Sequence, residues 1–254
     1  MNRIKVTKQF ENISAKNLRI MIKFILVHPL HSFFTLYHKA LYETIYKDYI
    51  SELLNGKNCT IVSPDEFLKK EKMKLEKDVI IKHTQNTIHL IETSFLLSLI
   101  KGINAKLVFE IGTYKGATTS NIAYNLAKSG KIYTIDLPPG FDFVPGELFQ
   151  NDKKVRDSII QLHGDSTQFD FSPFYGKIDL MFIDGNHRYE YVLSDSENAV
   201  KCVKKNGYIV WDDFSDKYPG TMKAVSDTCL KYGLQLFHIT GTKFAICKNT
   251  LKKE

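Results

Sequence analysis

The distribution of apolar positions divides the chain near residue 105. Before that point, apolar side chains recur at three- and four-residue spacing over roughly 14–27, 31–54, 65–75 and 84–101, which predicts helices with one buried face. Breaks fall at Pro29, Asn55-Gly56 and Ser63-Pro64, residues that interrupt helical hydrogen bonding or favour turns. Ser63-Pro64-Asp65-Glu66 has the form of a helix start, with a capping hydroxyl, a proline in the first turn and acids at the positive end of the helix dipole.

After residue 105, short β-type runs alternate with helical ones. The expected strands are Leu107–Ile111, Lys131–Asp136, Ser158–Leu162, Ile178–Asp184, Gly207–Trp211, Leu234–Ile239 and Lys243–Cys247. Stretches long enough for crossover helices separate the first five, which implies parallel βαβ units. Only Thr240-Gly241-Thr242 separates the last two, which implies an antiparallel hairpin. The expected fold class is therefore α/β and Rossmann-like: a mostly parallel sheet with a C-terminal antiparallel hairpin, preceded by N-terminal helices. Residues 1–80 form the helical arm or cap in this reading, and residues 81–254 the sheet domain.

Composition supports a folded chain, since 43% of the residues are hydrophobic and 25% charged, enough for a sizeable core. The formal charge of +7 is unevenly placed. Residues 1–42 carry Arg3, Lys5, Lys8, Lys16, Arg19, Lys23 and Lys39 against the single acid Glu11. On a helical wheel Lys16, Arg19 and Lys23 share one face, opposite Leu18, Met21, Ile22 and Ile25. Such a helix can lie on an anionic membrane, pack on the main domain or join a homodimer, and packing is the commoner outcome. Nucleic acid is not an expected partner. The run Met21–Leu30 contains Lys23 and His28 and meets Pro29, so it is too short to span a bilayer. The first fifteen residues lack the apolar stretch of a signal peptide. Cys59, Cys202, Cys229 and Cys247 are widely spaced and read as small core residues of a reducing compartment. The expected location is cytoplasmic, with the basic arm offering peripheral contact at the inner face of the membrane.

The segment Leu107–Thr118 carries the first chemical signal, running from a buried strand into a helix. Gly112 and Gly116 allow a tight turn beside a ligand. Glu110 can orient the loop or accept a hydrogen bond from a cationic ligand group, and the helix N-terminus with Thr118 in its first turn suits a carboxylate. Asp136 ends the second strand, where an acid can take both hydroxyls of a ribose. A dinucleotide or S-adenosylmethionine would satisfy those features alike. A GxGxxG fingerprint, however, would need glycine where this chain has Tyr114 and Ala117. A tyrosine there obstructs a pyrophosphate, and S-adenosylmethionine has none.

Glu110-Ile-Gly112-Thr-Tyr114-Lys-Gly116 resembles motif I of the class I S-adenosylmethionine-dependent methyltransferases, in particular the metal-dependent O-methyltransferases of the catechol and caffeoyl-CoA type. Gly164-Asp165-Ser166 resembles the segment that lies beside the adenine ring in that family, which implies cofactor contacts from Asp165 and Ser166. Two further strand ends are acidic: Asp184, followed by His187 three residues on, and the pair Asp212-Asp213. Carboxylates converging on one crevice raise one another's pKa values unless a cation lies among them, and Mg²⁺ suits oxygen ligands. The resemblance implies the same, with Asp184, Asp212 and Asp213 as metal ligands. Asp213 departs from the asparagine common in the catechol-type enzymes and resembles macrocin-type sugar O-methyltransferases. His187 stands where the catechol-type enzymes carry a lysine base, and imidazole accepts a proton near neutral pH.

The expected function is methyl transfer from S-adenosylmethionine to a hydroxyl of a sugar, glycan or other small molecule, with Asp184 and His187 catalytic and a divalent metal, Mg²⁺ first, assisting. The rivals are a nicotinamide-dependent oxidoreductase, and a non-catalytic S-adenosylmethionine-binding or membrane-associated interaction protein.

Overall fold

Alternation of apolar strands with amphipathic helices produces one eight-stranded sheet in the computed structural model, which describes residues 59–76, 78–85, 87–140 and 144–251. The helices expected over 14–27 and 31–54, and the membrane, cap and dimer roles of the basic arm, lie outside the described residues. The strands are β1 (Cys59–Val62), β2 (Leu107–Ile111), β3 (Lys131–Asp136), β4 (Ile159–His163), β5 (Ile178–Ile183), β6 (Val203–Trp211), β7 (Leu236–Ile239) and β8 (Ala245–Lys248). Their order across the sheet is β1-β7-β8-β6-β5-β2-β3-β4. Strands β2 to β6 run parallel, and β8 lies antiparallel to both β6 and β7, so the expected five parallel strands and closing hairpin are present.

Helices α2 (Leu90–Gly102), α3 (Ala117–Asn125), α5 (Tyr189–Cys202) and α6 (Pro219–Tyr232) accompany the strands, with the shorter α1 (Pro64–Lys70) and α4 (Glu147–Gln150). The fully buried run of β5 explains its place at the centre, covered on both faces. On one face Phe67 of α1 meets Phe95 of α2, Tyr208 and Phe237 edge-on, and Val108, Leu180 and Val210 join the same core. On the other, Phe109 packs against Phe171 and Phe174. Each such side chain contributes about 1.5–3 kcal/mol by leaving water.

Several boundaries differ from the sequence pattern, each for a physical reason. The cap at Ser63 forms as expected, with Glu66 N–H donating to its hydroxyl and Ser63 N–H donating back to the Glu66 carboxylate. The helix then stops at Lys70 instead of continuing to 75, because Glu71 accepts hydrogen bonds from Tyr208 and Lys248 on the sheet. The helix expected from 84 starts at Leu90, because the Asn121 and Asn125 side chains of α3 engage the backbone of Ile80, Lys82 and His83 in extended form. Strand β6 begins four residues earlier than expected, since Lys204, Lys205 and Asn206 are exposed and carry no apolar signal. Strand β1 was not expected at all. It falls in the segment assigned to the helical arm and pairs in parallel with β7 at the sheet edge. Among the described residues no helix is long and apolar enough to cross a membrane, and all four cysteines are buried and free.

Candidate active site at the carboxyl ends of the strands

The order of the parallel strands reverses between β2 and β5, so the loops after these two strands part and leave a crevice. Gly112 follows β2 with φ +98°, and a Cβ there would stand 2.0 Å from the Asp184 carbonyl oxygen after β5. Only glycine fits that approach. Tyr114 adopts φ +45°, a left-handed conformation that is uncommon outside glycine. Its N–H donates to Asp136 at 2.7 Å, which ties the loop to the end of β3. Gly116, at φ +85°, starts α3 against the Phe149 ring.

A cleft of about 400 Å³ runs over this loop, lined by Gly112, Tyr114, Asp136, Gly164, Asp165, Ser166, Gly185 and Tyr191 among others. It unites most of the residues expected to hold the cofactor. Asp136 already accepts the N–H groups of Tyr114 and Leu137, one on each oxygen, and a carboxylate retains further acceptor sites for ribose hydroxyls. Asp165 accepts from the N–H and hydroxyl of Thr167, which shapes the turn. The Ser166 hydroxyl bonds Asp195 of α5, whose carboxyl burial raises to about 7.

Three expected cofactor residues do not line it: Gly116, which starts α3, together with Glu110 and Thr118. Glu110 is fully buried, and its Oε2 accepts from Thr119 at 2.5 Å and Thr134 at 2.6 Å. Burial pushes its pKa up to about 7 although the two hydroxyls oppose the shift. Glu110 thus clamps α3 to β3 beneath the loop instead of facing the cleft. Thr118 lies on the far side of the loop, where its hydroxyl pairs with that of Thr87 at 2.9 Å.

A second cleft, also of about 400 Å³, opens there and is lined by Thr87, His89, Thr113, Thr118, His187, Asp212, Asp213 and Lys243 among others. The two clefts share Gly112, Tyr114, Asp184 and Gly185 as a common wall. A group held in one can therefore face a group held in the other.

The acids gather at this wall, but not as the expected triplet. Asp184, His187 and Asp213 bring a donor atom each within 4.8 Å of one another. Asp212 is outside that group; its Oδ1 accepts the Asp213 N–H at 2.7 Å, while its charge still acts on Asp184. His187 Nε2 lies 2.5 Å from Asp213 Oδ2, and the ring stacks on Tyr218 at 4.2 Å between centroids. The electrostatics follow the burial. Burial first, then Asp212 and Asp213, raises the Asp184 pKa well above the usual carboxylate range. Asp212 is pushed up to about 6 by burial and by Asp213. Burial also works against the Asp213 anion, but hydrogen bonds from His187 and Lys243 outweigh it and hold that carboxyl low.

Lys243 and Tyr218 were missed from sequence. Lys243 Nζ lies 2.6 Å from Asp213 Oδ1 and 3.4 Å from Asp212. The available signal was chemical: three acids at two neighbouring strand ends need a cation, and Lys243 opens the last apolar run beside the hairpin turn. Tyr218 carried no comparable signal.

Comparisons with known proteins bear on the domain and the fold. Residues 109–214 match the model of a methyltransferase domain. An uncharacterized protein of Acanthamoeba polyphaga mimivirus is 39% identical over 52% of this chain and 65% of its own length. The tapetum-specific methyltransferase 1 of Arabidopsis thaliana is 28% identical over 56% of this chain and 64% of its own. A caffeoyl-CoA O-methyltransferase of Mesembryanthemum crystallinum is 28% identical over 63% and 64%. The chain thus spans a little under two thirds of the length of these relatives. Among solved structures, the Bacillus cereus O-methyltransferase in complex with SAH shares the fold with a TM-score of 0.51 and 17% identity, over 79% of this chain and 95% of that one. The O-methyltransferase TomG of Streptomyces achromogenes, in complex with SAM, does so with a TM-score of 0.52 and 16% identity, over 72% and 94%. Residues 109–214 are thus similar to a methyltransferase domain, and the chain shares the Rossmann-like fold of these solved O-methyltransferases.

Proposed function

We propose that the chain transfers the methyl group of S-adenosylmethionine to a hydroxyl of a sugar, a glycan or another small polyol. The observation that carries this reading is the common wall of the two clefts, Gly112, Tyr114, Asp184 and Gly185. With the cofactor over the glycine loop, its methyl group would face the acceptor cleft. Polar groups from Thr87, His89, Thr113 and Thr118 line that second cleft, and such a wall suits a polyhydroxylated acceptor better than a flat phenol.

Methyl transfer in this geometry requires in-line approach of the acceptor oxygen and loss of its proton. His187 is the group placed to take the proton. Asp213 holds its imidazole and would stabilise the imidazolium, while Tyr218 fixes the ring plane. The donor set also fits a divalent cation: the two carboxylates suit Mg²⁺ or Mn²⁺, whereas an imidazole ligand favours a softer ion such as Fe²⁺ or Zn²⁺. Asp184 and Asp213 would hold it, and a bound cation would polarise the acceptor hydroxyl and ease its ionisation. The convergence of His187 with both acids favours a second reading, in which His187 is a third ligand and not the base.

Transfer of labelled methyl from S-adenosylmethionine across a panel of sugars, glycans and phenols tests the proposal. Activity confined to phenols would overturn the acceptor class. Micromolar binding of NAD with none of S-adenosylmethionine, measured by calorimetry, would overturn the reaction. For His187→Ala, a fall in turnover of about 10²–10⁴-fold at unchanged Mn²⁺ affinity marks a base. Loss of Mn²⁺ affinity marks a ligand.

A further inference from the structure

Three carboxylates at the ends of β5 and β6 carry one more negative charge than a divalent cation offsets. Lys243 stands where the difference is made up, 2.6 Å from Asp213 Oδ1 and 3.4 Å from Asp212. Its placement is built into the fold. The Lys243 N–H donates to Glu92 Oε1 at 2.7 Å, and Glu92 is almost fully buried on α2. The Lys243 carbonyl accepts the N–H of Phe214, the residue directly after the acid pair, at 2.8 Å. The next residue, Phe244, is buried in the core. Backbone and core thus fix Lys243 beside Asp213, while its side chain stays about a third exposed on the acceptor cleft.

We propose that Lys243 is an internal counter-cation that sets the divalent-cation affinity of this centre. The proposal rests on the reading that Asp184 and Asp213 hold such a cation. With all three carboxyls ionised around a bound cation, Lys243 cancels the charge of Asp213 and leaves the acids with a net charge of −2. Charge accounting then fixes the sign of each variant. Lys243→Gln leaves −3 and tightens cation binding, and Asp213→Asn with Lys243 intact leaves −1 and weakens it. The double variant returns to −2 and lies near wild type, apart from the lost oxygen ligand. An ammonium with a purely structural role would not make binding tighter on its removal.

Titration of the full chain with Mn²⁺ alone, followed by calorimetry and by the Mn²⁺ resonance signal, tests the proposal. Wild type, both single variants and the double variant are compared, with S-adenosylmethionine affinity of each as the check on folding. The expected result is Mn²⁺ binding tightened roughly tenfold by Lys243→Gln and weakened by a similar factor by Asp213→Asn. Mn²⁺ affinity that is unchanged or weaker in Lys243→Gln, with S-adenosylmethionine affinity retained, overturns the proposal. If Lys243→Gln loses S-adenosylmethionine binding, Lys243→Met takes its place, with the same sign expected and the same result decisive. Binding by wild type without the predicted sign sinks this inference alone. Mn²⁺ binding by none of the four proteins sinks the cation reading and this inference with it.

Discussion

Two buried carboxyls make the stability of the protein depend on pH in a defined direction. Glu110 has a folded pKa of about 7 against an ordinary value of 4.5, and Asp195 about 7 against 3.8, burial being the main cause in both. Below these ordinary values both states carry the proton. Between them and pH 7 the unfolded chain releases it while the folded state keeps it, so stability falls as pH rises through that window. The melting temperature should therefore decline from about pH 4 to about pH 7, and Glu110→Gln or Asp195→Asn should each flatten part of the decline. A decline of equal slope in both amide variants would show that neither carboxyl titrates as described. Residue-scale chemistry was partly legible in the sequence. Asp136, Gly112, Asp184 and His187 could be placed because strand ends and glycine turns have fixed meanings. Glu110 could not, since a strand-end acid looks the same whether it faces a ligand or clamps two hydroxyls from beneath. The orientation of Asp212 was equally hidden, because it turns on one backbone hydrogen bond from its neighbour.

The β2–α3 connection forms part of the wall between the two clefts, and its tolerance for change should be very low. A methyl group at residue 112 would meet the Asp184 carbonyl at 2.0 Å, in a φ region that L side chains rarely adopt. Backbone offers no flexible end to move aside. Gly112→Ala should abolish S-adenosylmethionine binding and cost on the order of 3 kcal/mol of stability. Calorimetric titration and thermal unfolding check both, and retention of near-wild-type affinity would mean that β2 and β5 part more easily than their hydrogen bonds imply. By contrast Gly164, at φ +157°, has nothing within 4 Å of an added Cβ, so Gly164→Ala meets backbone strain without a clash and should cost less stability than Gly112→Ala in the same thermal unfolding. Strands and crossover helices were legible because apolar runs and their spacing encode them directly. The misplaced boundaries share one cause. Side chains distant in sequence, Asn121 and Asn125 against residues 80–83 or Tyr208 against Glu71, decide where a helix may run. Strand β1 escaped because its four edge residues, with half of them exposed, form too short a pattern to stand out.

At the scale of the whole molecule, the sheet brings together groups from the ends of β2, β5 and β6 and from the β7–β8 turn, and the proposed mechanism turns on their charge balance. The parallel direction of the first five strands was legible from chain spacing, and with it the convergence of Asp184 and Asp213 at one end of the sheet. The fourth participant was not, since the β7–β8 hairpin returns Lys243 to the acids only through antiparallel pairing of β8 with β6. A reaction assisted by a divalent ion should therefore stop in excess chelator and return with Mg²⁺ or Mn²⁺. Ca²⁺ should restore less, because its longer bonds and looser coordination would displace the acceptor oxygen from the methyl group. Asp184→Asn should remove cation dependence and most activity together. Asp212→Asn should do less to cation affinity, because Asp212 stands outside the converging donors. S-adenosylmethionine binding should survive Asp212→Asn, since Asp136, Gly164 and Ser166 lie in the other cleft. If turnover persists undiminished in chelator, and the protein carries no metal, the cation has no part in the reaction. Proton removal would then fall to the His187–Asp213 pair alone, with Lys243 as the cation of the centre, and Lys243→Gln should lower turnover in chelator where a metal-assisted enzyme would show none to lose.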